Sequence, residues 1–166
     1  MSTSALDPRP TTTSRAAGFA AFAAAAVVTA ASGSLSAINA ADQYGSFVQP
    51  DWAPPSWLFG PVWTVLYALI AVSGWLVWRR SGWSGARTAL SVYAVQLVLN
   101  ALWTPLFFGA GLFGVAFAEI LVLWVSIVAT MVLFSRHSRP AAALLLPYVA
   151  WVSFASVLNF AIWTLN

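Results

Sequence analysis

The chain has 166 residues, 61% of them hydrophobic and only 7% charged, with a mean hydropathy of +0.83 and a formal net charge of +3. That composition excludes a soluble domain, which needs far more charge to cover its surface, and predicts an all-α membrane protein, a bundle of five transmembrane helices. The lack of Cys excludes disulfides, thiolate nucleophiles and Cys-based metal sites, and seven Arg with no Lys, set at membrane edges instead of in one basic patch, exclude a nucleic-acid partner.

Residues 1–15 are expected to form a flexible N-terminal tail, and 16–166 the five-helix domain. The first helix is expected near 16–38, because Ala16–Ala41 runs without a charge between Arg15 and Asp42. This apolar run, ending in "INA", loosely resembles a signal peptide. It is longer than the usual apolar core of one, so it is read as a retained span. After the breakers of "QPDWAPPSW", a second helix is expected near 60–79, with Pro61 early in it, where its missing N–H costs nothing. "RRSGWSGAR" precedes a third near 87–108, "GAGLFG" a fourth near 112–134, and "RHSRP" a fifth near 140–164. Glu119 is the only acid within a span. An intramembrane carboxylate is a functional candidate by default, but no basic residue lies near its depth, and a structural role is the preferred reading.

With this count all seven Arg fall on one side of the membrane, while the opposite loops carry only Asp42 and Asp51. By the positive-inside rule the N-terminus is expected in the cytoplasm and the C-terminus outside.

Ten Trp are spread along the chain. Trp75, Trp78 and Trp83 suit an interfacial aromatic belt on the Arg side, and Trp52, Trp57 and Trp163 suit one on the other side. Trp124 and Trp151 sit near mid-span, where no headgroup is available, and need packing or a ligand instead. In the third span Tyr93, Gln96, Asn100 and Trp103 share one helical face; in the fifth, Tyr148, Trp151, Ala155 and Asn159 do so; in the second, Trp63 and Tyr67 are one turn apart. Lipid penalises amide side chains, so these stripes are expected to point into the bundle. The plain reading is that Gln96, Asn100 and Asn159 are interhelical hydrogen-bond partners. Aromatic faces from three helices beside a few amides are also the usual make-up of a small-molecule pocket.

Other chemistry has few reagents. The sole His, His137, lies in an Arg-rich loop, and Met131 is the only Met within a span. No metal site, no bound cofactor, no Ser–His–acid set and no phosphate loop is expected.

The segments "WAPPSWLFGPVWTVLY" (Trp52–Tyr67), "YAVQLVLNALWTPLFFG" (Tyr93–Gly109) and "LLLPYVAWVSFASVLNFAIWTLN" (Leu144–Asn166) carry a specific resemblance. The chain resembles the tryptophan-rich sensory protein/translocator protein family (TspO/MBR, the peripheral benzodiazepine receptor family). The resemblance implies a five-helix bundle, often a homodimer, that binds porphyrins such as protoporphyrin IX. In some members it also implies binding of cholesterol or of isoquinoline and benzodiazepine ligands. It places ligand contacts at Trp57, Trp63, Asn100, Trp103, Trp151, Phe154 and Ala155, and makes Trp63 and Trp151 the Trp pair implicated in porphyrin photodegradation. The cholesterol-recognition segment of animal members is incomplete here, with Phe160 and Thr164 where a Tyr and a basic residue are needed.

The function expected is that of a ligand-binding membrane sensor or regulator for porphyrins and similar flat apolar molecules, without metal or cofactor. Its pocket would lie between the second, third and fifth helices and open to the outer side, with Trp57, Trp63, Tyr67, Gln96, Asn100, Trp103, Tyr148, Trp151, Phe154, Ala155 and Asn159 around it. The alternative is an enzyme that degrades porphyrin through Trp63 and Trp151. A transporter of tetrapyrroles or lipids ranks below both, because the spans lack interior ion pairs and paired broken helices. Partners expected are a porphyrin or similar ring, membrane lipid and a second copy of the chain; the expected location is a bacterial cell membrane.

Overall fold

The computed structural model describes residues 12–36 and 40–166. The elements are α1 (Thr12–Ser36), α2 (Ala40–Ser46), a 3₁₀ turn (Ser56–Leu58), α3 (Phe59–Gly85), α4 (Arg87–Thr104), a π-helical turn (Pro105–Gly109), α5 (Phe113–Ser135), α6 (Arg139–Leu144) and α7 (Leu146–Leu165). Among the described residues five stretches are long and apolar enough to cross a membrane: α1, the 3₁₀ turn with α3, α4 with its π turn, α5, and α6 with α7. The tail expected over 1–15 lies outside the described residues as far as residue 11; helix α1 already includes 12–15. Ile38 and Asn39 of the signal-peptide alternative also lie outside them.

Three boundaries differ from the expectation, each for a local reason. The second span runs on to Gly85 through Gly82, which sits at φ +65°, ψ −178°, a conformation open to glycine. The third does not stay α-helical to 108: from Pro105 the chain widens into a π turn closed by Ala110 N–H to Pro105 C=O (2.9 Å), and Gly111 at φ +62° reverses it. The fifth span is not one helix, because α6 and α7 meet at Leu145, two residues before Pro147, whose ring cannot accept an uninterrupted turn before it.

The bundle is held by close approach, since lipid removes the hydrophobic drive between helices. Helix α1 packs on α3 and α4, α5 on α4 and α7, and α6 on α3 and α5. Gly18 of α1 lies flat beneath the Trp78 ring, and a Cβ at Gly74 would come within 2.8 Å of Phe22 and Tyr93. Gly114 is covered by Trp163 of its own chain, where a Cβ would come within 2.9 Å of the indole. In the core Tyr93 stacks on Phe134 at 5.6 Å, with Ile70, Val77, Ile127 and Tyr148 fully buried around them. Near the Arg-rich loops the Ser73 hydroxyl donates to Ala141 C=O (2.8 Å), and Ser81 Oγ pairs with His137 Nδ1 at 3.0 Å.

Candidate functional site

The far end of the bundle from those loops encloses a cavity of about 370 Å³. Its walls come from α3 (Phe59, Gly60, Trp63, Thr64, Tyr67), α4 (Asn100, Trp103, Thr104), α5 (Ile120, Leu123) and α7 (Trp151, Val152, Ala155). Ala30 of α1, Tyr44 of α2, Ser56 of the 3₁₀ turn and Phe108 of the π turn complete it. A volume within the few-hundred-Å³ range of small-molecule sites, mostly apolar walls and a few polar groups suit a ring-shaped ligand.

The amide stripes do face inward. Gln96, Asn100 and Asn159 are almost wholly buried. The Tyr67 hydroxyl donates to Asn100 Oδ1 (2.7 Å), Asn100 Nδ2 donates to Tyr148 Oη (2.9 Å), and Tyr148 donates to Gln96 Oε1 (3.0 Å). One chain of hydrogen bonds therefore links α3, α4 and α7 behind the cavity floor. Trp103 Nε1 donates to Asn159 Oδ1 (3.1 Å), whose Nδ2 donates to Phe113 C=O (2.9 Å), so the indole is fixed to α7 and the start of α5.

Of the eleven expected residues, Trp63, Tyr67, Asn100, Trp103, Trp151 and Ala155 line the cavity together. Gln96, Tyr148 and Asn159 stand behind it as hydrogen-bond supports. Phe154 packs between Trp52 and Trp151 at 6.0 and 5.4 Å, and Trp57 is 70% exposed, as a belt residue is. The two mid-span indoles divide: Trp124 donates to Ser153 Oγ (2.8 Å) and clamps α5 to α7, whereas Trp151 Nε1 is buried with no partner among the described residues. Both carboxyl oxygens of Glu119 are likewise buried and unpartnered, and the residue is not part of the cavity wall.

Sequence reasoning did not single out Tyr44, Phe59, Ile120 or Leu123. In a span solvated by lipid on one face and protein on the other, both faces are apolar, so no periodicity marks Ile120 or Leu123. Tyr44 sits in a short helix, α2, without a span's hydropathy, and shares its connecting segment with the aromatic residues Phe47 and Trp52, so nothing in the sequence sets it apart.

The segment between α2 and α3 covers this end of the bundle. Phe47 inserts among Phe107, Phe108 and Phe113, at 6.0, 6.4 and 5.0 Å. Asn166 pairs its side-chain amide with both backbone groups of Val48, accepting from N–H at 3.0 Å and donating to C=O at 3.0 Å. Gln49 Nε2 donates to the Tyr44 carbonyl. Among the described residues no cluster of His, Asp and Glu suited to a metal ion is present.

Known proteins are similar to this chain in sequence. A family model described as the TspO/MBR family matches residues 20–164. A tryptophan-rich protein TspO of Chlorobaculum tepidum is 44% identical over 125 residues, covering 74% of this chain and 78% of that protein. The translocator protein of Ovis aries is 41% identical over 125 residues, covering 74% of each. A tryptophan-rich sensory protein of Cereibacter sphaeroides is 36% identical over 148 residues, covering 89% of this chain and 90% of that one. With a matching family model over nearly the whole length and five membrane-crossing helical stretches, the chain belongs to the TspO/MBR family of integral multi-pass membrane proteins.

Proposed function

We propose that the protein is a membrane sensor or regulator that binds porphyrins, or similar flat apolar rings, in the Trp-walled cavity. The observation that carries this is the meeting of Trp63, Tyr67, Trp103 and Trp151 around about 370 Å³, with Asn100 as the central amide. Indole and phenol faces bind a conjugated ring by stacking, worth about 0.5–1.5 kcal/mol per pair beyond area burial. Such binding needs no axial metal ligand. The start of α3 borders the cavity through Phe59 and Gly60, and the positive end of its helix dipole favours the ring's anionic substituents.

In this reading the N-terminus is cytoplasmic and the cavity faces the outer side of a bacterial cell membrane. The working unit is a homodimer; the exposed face of α4 with Val95, Val98 and Leu102 is its candidate seam, to be tested by crosslinking. Titrating protoporphyrin IX against Trp fluorescence in detergent tests the binding claim. A Trp63→Ala, Trp151→Ala double variant is expected to lose ten-fold or more in affinity, and an unchanged affinity sinks the proposal.

One observation favours a second reading, oxidative breakdown of the bound ring. Trp63 and Trp151 both stand in the cavity wall, so a seated porphyrin lies against two oxidisable indoles. Light and dioxygen would supply the oxidising equivalents. Illumination is then expected to give one open-chain product, lost in Trp151→Phe while binding persists. Bleaching at the rate seen in empty detergent rules this reading out.

A further inference from the structure

The cavity wall contains two buried hydrogen-bond donors that have no partner among the described residues. The Tyr44 hydroxyl and Trp151 Nε1 are both buried, both unpaired among the described residues, and both belong to residues that line the cavity. They flank one side chain: the Phe59 ring lies 5.3 Å from the Tyr44 ring and 5.8 Å from the Trp151 ring, edge-on to each. Tyr44 is only 4% exposed. Burial pushes its phenol above the ordinary value, so it keeps its proton, and can donate it, at neutral pH.

An unpaired buried donor costs about 1–3 kcal/mol. The other polar groups of this wall do not bear that cost. Asn100 spends its amide on Tyr67 and Tyr148, Trp103 donates to Asn159, and Thr64 donates to the Gly60 carbonyl (2.9 Å). Trp63, Ser56 and Thr104 also line the cavity, but their polar atoms are not among the buried unpaired ones, so the buried donors without a partner among the described residues are confined to the Phe59 side. Gln43, whose amide oxygen is also unpaired, is not part of the wall.

We infer that Tyr44 and Trp151 form an oxygen-acceptor subsite, which receives carbonyl or carboxylate oxygens on the rim of the ring seated in the cavity. The inference rests on the ring-binding reading and adds to it the edge of the ring that is recognised. Two neutral donors with no cation beside them accept a neutral carbonyl as well as a carboxylate. Two donors separated by Phe59 also match a ring that carries oxygen functions on neighbouring substituents, as a tetrapyrrole with two acid side chains does. A hydrocarbon ring of the same size would stack equally well but leave both donors unpaired.

The test compares three porphyrins on the purified full chain: protoporphyrin IX, its dimethyl ester, and etioporphyrin, which has only alkyl substituents. Wild type is expected to bind the first two at least five-fold more tightly than the third, the loss expected for about one hydrogen bond. Tyr44→Phe, which removes one oxygen and leaves the ring, should weaken the two oxygen-bearing porphyrins about five-fold and leave etioporphyrin unchanged. Trp151→Phe should reduce the same preference but also weaken all three through lost stacking. A preference for the free acid alone, absent with the ester, assigns the subsite to carboxylate. Equal affinity of wild type for all three porphyrins, or an equal effect of Tyr44→Phe on all three, overturns the inference while leaving ring binding intact. If no porphyrin binds, ring binding itself fails. Naphthalene-2-carboxylate against 2-methylnaphthalene, in wild type and Tyr44→Phe, then reads the subsite alone, and equal affinities overturn it.

Discussion

Tyr148 shows how one buried hydroxyl joins the helices. It is fully buried, accepts from Asn100 Nδ2 at 2.9 Å and donates to Gln96 Oε1 at 3.0 Å, connecting α7 to α4 twice. Tyr148→Phe leaves both amides short of a partner where no water competes, at a cost of about 1–3 kcal/mol. Tyr67→Phe removes one bond beside the cavity, nearer the ~0.6 kcal/mol average of polar contacts inside membranes. Thermal unfolding in detergent should therefore show a larger drop for Tyr148→Phe than for Tyr67→Phe; the reverse order would mean that the network is not centred on Tyr148. At this scale much was legible in the sequence. Amides at helical spacing beside aromatics have to face protein in a bilayer, and Gln96, Asn100 and Asn159 do. Their hydrogen-bond partners were not legible, because Tyr67, Asn100 and Tyr148 meet from three separate helices and spacing reports on one helix at a time.

Among the elements, the spans followed from hydropathy, but the pieces that shape the cavity mouth did not. Helix α2 and the 3₁₀ turn are each shorter than the window in which periodicity or hydropathy accumulates. They are fixed instead by tertiary contacts. The segment after α2 is held by Phe47 among three Phe rings and by the Asn166 amide on Val48. Asn166→Ala removes both bonds to Val48 without touching the cavity wall. It should raise hydrogen–deuterium exchange across 47–58 and speed ligand association and dissociation together, leaving equilibrium affinity within about two-fold. Unchanged exchange there would show that the aromatic contacts alone hold the segment. On the opposite side of the bundle, Gly74→Ala places a methyl 2.8 Å from Phe22 and Tyr93. Overpacking of that kind costs about 1–3 kcal/mol and should loosen α1 from α3, seen as a lower unfolding temperature with the porphyrin affinity of the folded protein retained.

For the molecule as a whole, the same five crossings place the Arg-bearing loops at one end and the cavity at the other. The loops at the Arg end carry Arg79, Arg80, Arg87, Arg136 and Arg139, all exposed. The proposed orientation puts that end in the cytoplasm. Since the natural chain has no Cys, single-Cys variants report it cleanly. In intact cells an impermeant maleimide should label Gly45→Cys and should reach Ser84→Cys only after permeabilisation. The opposite pattern would invert the proposed orientation without altering the fold. For the cavity itself the decisive measurement is a structure of the full chain with protoporphyrin IX. The ring is expected between Trp63, Trp103 and Trp151, with its oxygen-bearing edge toward Tyr44. A ring seated on a lipid-facing surface or at the Arg end, with the cavity unoccupied, would contradict it.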